Sequence, residues 1–127
     1  MSAFIRDLVR EAYAQHELFC MLGFDPEHIF IEVINVANAI PTPGLCATVV
    51  LRMDGKFCSY TIARVTPTQG RAFLDALRVF TLEGKAKTPR AELDQMVRGS
   101  RAWGHRLECI ACLHAKGFDV EPGRMVH

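Results

Sequence analysis

The sequence predicts an α+β fold: an N-terminal helix, a three-stranded antiparallel meander, then two or three helices packed on one sheet face. Three observations predict it. Apolar residues recur at intervals of three and four up to Leu22, dense β-branched runs replace them between His28 and Val65, and helix-start signals follow at Thr66-Pro67 and Thr88-Pro89. Helix, hairpin-connected strands and helices in that order give two packed layers rather than a βαβ array.

The chain of 127 residues is half apolar and 23% charged, so residues 1–127 read as a single α+β domain. A chain of this size buries roughly two-thirds of its unfolded surface, enough for a core without disulfides or structural metal. Disordered, collagen-like and disulfide-stapled classes are excluded. Fifteen Lys and Arg against fourteen Asp and Glu give +1, which excludes a polyanion binder driven by bulk charge. No run reaches the ~18 apolar residues of a spanning helix, and Arg6, Asp7, Arg10 and Glu11 interrupt the N-terminal apolar residues. No membrane partner and no secretion are expected. Cys20, Cys46, Cys58, Cys109 and Cys112 are odd in number and sit within regular apolar patterns. Reduced thiols and a cytoplasmic location follow.

From Ser2 to Leu22, the residues Ile5, Leu8, Val9, Ala12, His16, Phe19 and Cys20 form one helical stripe, with Arg6, Asp7, Arg10, Glu11 and Glu17 opposite. Gly23 supplies a left-handed C-terminal position, Phe24 folds back onto the last turn, and Asp25-Pro26 stops the helix. His28 to Val36 is a strand, apolar enough on both faces to be expected covered on both. Asn38 to Gly44, with Pro41 and Pro43, cannot hold a ladder and is the main loop.

Leu45 to Met53 and Lys56 to Val65 are joined by Asp54-Gly55, a pair that tolerates positive φ and so suits a two-residue type I′ turn. That turn sets Met53 against Lys56, Leu51 against Cys58, Val49 against Tyr60 and Ala47 against Ile62 as the core face. Cys46, Thr48, Val50, Arg52, Phe57, Ser59, Thr61 and Ala63 then face outward, a mixed surface that solvent alone does not explain.

Thr66 caps the next helix, with Pro67 in its first turn and Gln69 three residues after the cap, and Phe73, Ala76, Leu77 and Phe80 form its buried stripe. Gly84 ends it. From Thr88-Pro89 a further helix has the pattern to run to Lys116, roughly 43 Å at ~1.5 Å per residue, longer than the domain is wide, so a break is expected at Gly99-Ser100 or at Gly104. Lys116-Gly117-Phe118-Asp119 repeats the exit chemistry of Leu22-Gly23-Phe24-Asp25.

Four groups of residues are candidates for function. The outer sheet face, with Phe30, Ile34, Val50 and Phe57, is too apolar for a free monomer and predicts a homodimer or a protein partner. His105, Cys109 and Cys112 share one helical side with Arg98 and Arg101, opposite a stripe of Trp103, Leu107 and Ile110; thiolates and an imidazole at these offsets are zinc-type ligands, and His16 with Cys20 repeats the four-residue spacing. The same Cys-x-x-Cys, read as a redox pair, lacks the helix N-terminus that would stabilise a thiolate. His16 lies at the centre of the first helix's stripe, as a buried neutral imidazole bonded to backbone or to Tyr60.

Residues 85–106 carry six basic side chains against Glu92 and Asp94, and Arg90, Arg98 and Arg101 form a patch able to follow phosphates. Glu32, in an apolar strand, is the one carboxylate whose pKa is expected to be raised; the alternative is a simple ion pair with Arg52 across the strands. Nucleophile-elbow, phosphate-loop, zincin and dinucleotide motifs are absent from the sequence, and it implies no cofactor.

The order helix, three strands, helix is similar in topology to double-stranded RNA-binding domains and bacterial secretion chaperones. Thr66 to Leu74 carries only Arg71 where the RNA-binding family has a basic cluster, and the chain lacks the acidity usual among secretion chaperones, so no family is assigned. The expected function is a small non-catalytic binding module that self-associates through the outer sheet face. The alternatives are a metal or thiol site on His105, Cys109 and Cys112, and nucleic-acid binding through segment 85–106.

Overall fold

A computed structural model describes residues 2–37, 43–81 and 87–120. Helix α1 spans Ala3–Met21, capped by the Ser2 hydroxyl, which accepts from the Ile5 amide at 3.1 Å. It ends where Gly23 takes φ +101°: the Gly23 amide donates to the Cys20 carbonyl and the Phe24 amide to the Phe19 carbonyl, a Schellman closure. A single 3-10 turn, Pro26–His28, leads into the sheet.

Strands β1 (Ile29–Val36), β2 (Gly44–Met53) and β3 (Lys56–Arg64) form an antiparallel meander in the order β1-β2-β3. Asp54 at φ +55° and Gly55 at φ +76° make the expected tight turn. Met53–Lys56, Leu51–Cys58 and Val49–Tyr60 pair as the sequence predicts. Ala47 does not face Ile62; it faces Ala63, because a bulge at Ile62 shifts the register by one. The Arg101 guanidinium donates to the Ile62 carbonyl at 2.5 Å, giving that group a partner outside the ladder.

Helix α2 spans Pro67–Val79 behind a complete capping box: the Thr66 hydroxyl accepts from the Gln69 amide at 3.1 Å, and Gln69 Oε1 accepts from the Thr66 amide at 2.9 Å. Gly84 and most of the Asn38–Gly44 loop lie outside the described residues. The long C-terminal helical pattern breaks at both expected glycines, giving α3 (Arg90–Arg98), α4 (Arg101–Gly104) and α5 (Arg106–Ala115). Pro89 begins α3 without a side-chain cap, so Thr88-Pro89 does not repeat the Thr66 box. Ser100 restarts the chain as a cap for α4, accepting from the Trp103 amide at 3.1 Å. After α5, Gly117 and Phe118 repeat the Schellman closure of α1, with amides donating to His114 and Leu113.

The described helices lie on one face of the sheet. The core joins Val9, Ala12, Leu18 and Phe19 of α1 to Ala47, Val49 and Leu51 of β2, Phe73 of α2, Val97 of α3, and Ile110 and Leu113 of α5. Helix α1 touches the sheet as well as α2, α3 and α4, which is why Tyr13, Ala14, Gln15 and Leu18, outside the predicted stripe, are buried too. His16 is not at the stripe's centre: it sits part-exposed on the margin, its Nδ1 3.9 Å from Cys20 Sγ and 3.9 Å from Glu17, while Tyr60 bonds elsewhere. Strand β1 is an edge strand, and none of the described helices covers its outward face.

Glu11 ties α1 to α4. Its carboxylate accepts from the Arg101 amide at 2.9 Å, the Ala102 amide at 3.3 Å and Gln15 Nε2 at 3.0 Å. The first free amides of a helix attract negative charge, so a side chain ninety residues upstream fixes where α4 begins.

Candidate functional site

The sheet face away from the helices is built by strand alternation. Phe30 lies opposite Val50, Val50 opposite Ser59, and Arg52 opposite Phe57. On the outward side of the central strand β2, Cys46, Thr48 and Val50 are buried, with Val50 only 2% exposed. The accessible apolar surface therefore comes from the edge strands, with Phe57 at 63% and Phe30 at 38% exposure and Ile34 partly exposed.

Arg52 connects the two phenylalanines. Its guanidinium holds Glu32 bidentately, at 2.6 and 3.0 Å, and lies 5.0 Å over the Phe30 ring. The Glu32 carboxyl is not raised by its apolar strand: the hydrogen bond from Arg52 outweighs burial and holds it below its ordinary pKa, so the pair stays ionised on the face. An aromatic–cation–aromatic row with one carboxylate is suited to packing against another protein surface.

The structure does not bring His105, Cys109 and Cys112 together as ligands, and among the described residues no group of three or more His, Cys, Asp and Glu side chains is arranged to hold a metal ion. His105 is exposed at the break between α4 and α5, and Cys112 is exposed further along. Cys109 is buried rather than on the charged side, while Leu107, expected in the stripe, is 58% exposed. The break at Gly104-His105 resets the helical phase, so one projection across residues 98–112 misplaces both. Burial pushes the Cys109 thiol up to about 11, and Tyr60, itself raised by burial, donates to the Cys109 carbonyl at 3.2 Å. None of the five cysteines is in a disulfide.

The three arginines of the predicted basic patch have separate tasks. Arg90 pairs with Asp94 at 3.5 Å, Arg98 lies 5.0 Å over the Trp103 ring, and Arg101 bonds Ile62. Arg106 covers the same indole at 4.5 Å.

Sequence reasoning missed Gln15. It lines a cleft of about 370 Å³ between β3 and the α4–α5 segment, with Ser59, Thr61, Ala102, His105 and Cys109. Its Oε1 is buried with no partner among the described residues, while Nε2 is held by Glu11. No local signal marks it, because its burial depends on where α4 packs.

Among the described residues no helix is long and apolar enough to cross a membrane. Compared with protein-family models, curated proteins and solved structures, the chain matches none of them.

Proposed function

We propose that the chain is a non-catalytic binding module that forms a homodimer through its outer sheet face. The observation that carries this reading is the pair of exposed phenylalanines, Phe30 and Phe57, flanking Arg52 on a face that none of the described helices covers. The last helix is not the missing cover, since Ile110 and Leu113 pack in the core on the other side.

A second copy fits the patch chemically. A two-fold operator brings the same patch to itself, and this one contains both signs of charge beside its aromatics, so rotation sets Arg52 against Glu32 or against a phenylalanine face. Covering Phe57 and Phe30 removes apolar surface worth ~25 cal/mol per Å². Five cysteines outside any disulfide fit a reducing compartment such as the cytoplasm.

Size-exclusion chromatography with light scattering tests the reading. The parent chain is expected to elute at twice its 14.2 kDa mass, and Phe57→Lys or Phe30→Lys as a folded monomer. A parent that stays monomeric at millimolar concentration overturns it.

A further inference from the structure

On the helical side of the molecule, α1, α2 and α3 leave an open cavity between them, independent of whether the outer sheet face dimerises. Each helix brings residues one turn apart to it: Arg6 and Arg10 from α1, Ala76 and Phe80 from the end of α2, Glu92 and Met96 from α3. Its volume of about 460 Å³ lies in the ~300–1,000 Å³ range typical of ligand sites, and a gap between packed helices is a usual place for one.

Its inner lining is apolar and its outer lining cationic. Val9 is buried, and the Phe80 ring is held edge to face against Tyr13 with centroids 5.0 Å apart. Met96 is an unbranched wall that adapts to what lies against it, and Val79, 52% exposed, carries the apolar surface outward. Three exposed cations, Arg6, Arg10 and Lys87, stand there against the single carboxylate of Glu92. Arg6 lies 3.3 Å from its exposed neighbour Asp7, whereas Arg10 and Lys87 form no ion pair among the described residues. An apolar recess edged by uncommitted positive charge is complementary to a molecule with an apolar body and an anionic head.

We infer that this cavity binds a soluble medium-chain carboxylate, its alkyl chain against Val9, Phe80 and Met96 and its head group met by Arg10 and Lys87. A guanidinium matches the two oxygens of a carboxylate, and Glu92 opposes a second negative charge, so a monoanion suits the lining better than a phosphate dianion. A methylene is about the size of a water molecule, ~30 Å³, so the cavity holds roughly fifteen such groups and a chain of about eight to twelve carbons fits with water to spare. The apolar side chains other than Val79 are recessed between helices, where a free amphiphile reaches them and the surface of a bilayer does not.

The test is calorimetric titration of the full chain with decanoate below its micellar concentration, repeated on the Phe30→Lys variant so that failure of the dimer is read separately. Saturable binding at one site per chain is expected, tightening about three- to fourfold per methylene from hexanoate to decanoate, with decanol at least tenfold weaker. In methyl NMR spectra the Val9 and Val79 signals are expected to move and those of Val50 to stay. The double variant Arg10→Gln with Lys87→Gln changes two exposed positions; it is expected to weaken decanoate at least tenfold and to leave decanol binding as it was. No decanoate binding, equal affinity for decanol, methyl shifts confined to other residues, or full decanoate affinity in the double variant would each overturn the inference. So would co-sedimentation of the parent with phosphatidylglycerol vesicles that the double variant loses, since the cations would then serve a membrane surface.

Discussion

Phe24 and Phe118 meet edge to face, their ring centroids 5.6 Å apart and their planes inclined at 61°. Each is the residue after a left-handed glycine, and each amide closes the Schellman motif of its own helix, α1 or α5. Two identical pieces of local exit chemistry thus join the first and last helices. Truncating either ring to alanine is expected to cost about 3–5 kcal/mol in urea denaturation, because both are buried. The double variant is expected to show a coupling of about 0.5–1.5 kcal/mol; additive losses would mean that the rings pack independently.

Glu11 accepts from two α4 amides and from Gln15, so Glu11→Ala is expected to destabilise the fold by about 1–3 kcal/mol. Glu11→Gln retains an acceptor and is expected to lose less. Hydrogen exchange at the Arg101 and Ala102 amides is the specific readout: both should speed up in Glu11→Ala more than the amides of α2 do.

Thiol chemistry follows burial. Cys112 is exposed, whereas Cys46, Cys58 and Cys109 are buried and Cys109 is pushed up to about 11 by desolvation. At pH 8 an aromatic disulfide reagent is expected to modify Cys112 first and Cys109 only as fast as the chain unfolds. Rapid labelling of Cys109 in the folded chain would show that α5 does not pack as described.

The Glu32–Arg52 pair makes the outer face sensitive to acid. The hydrogen bond from Arg52 lowers the folded-state pKa of Glu32 below 4.5, so its stabilisation is complete above about pH 4.5 and is lost as pH falls through the lower, folded value. The gap in Tm between the parent and Glu32→Gln is expected to be constant near neutrality and to close in acid. A gap that widens as pH falls would contradict the assigned direction.

What the sequence made legible was local. Asp54-Gly55, the Thr66 capping box and the two glycine–phenylalanine exits each act within a few residues, and each appears in the fold as read. The first three hairpin pairs follow from the turn alone; the fourth fails at the bulge, where the Ile62 carbonyl is bonded by Arg101, thirty-nine residues away. His16 lies off the predicted stripe centre, and Gln15 escapes prediction, for a related reason. A helical projection treats α1 as having one buried side, while α2, α3 and α4 also press on it. Cys109 and Leu107 exchanged roles because a glycine break rephased the helix that carries them. Of the four outer-face residues named from the sequence, Ile34 sits apart opposite Cys46 and Val50 is buried, leaving Phe30 and Phe57 as the main exposed contributors.

The measurement closest to the central proposal is an isotope-filtered NOE experiment on a mixture of labelled and unlabelled chains. Self-association through the outer face predicts intermolecular contacts from the Phe57 ring to Phe30 and to Arg52 of the second copy, and none to Val49 or Phe73. An empty filtered spectrum at millimolar concentration, or intermolecular contacts confined to the helical side, would contradict it.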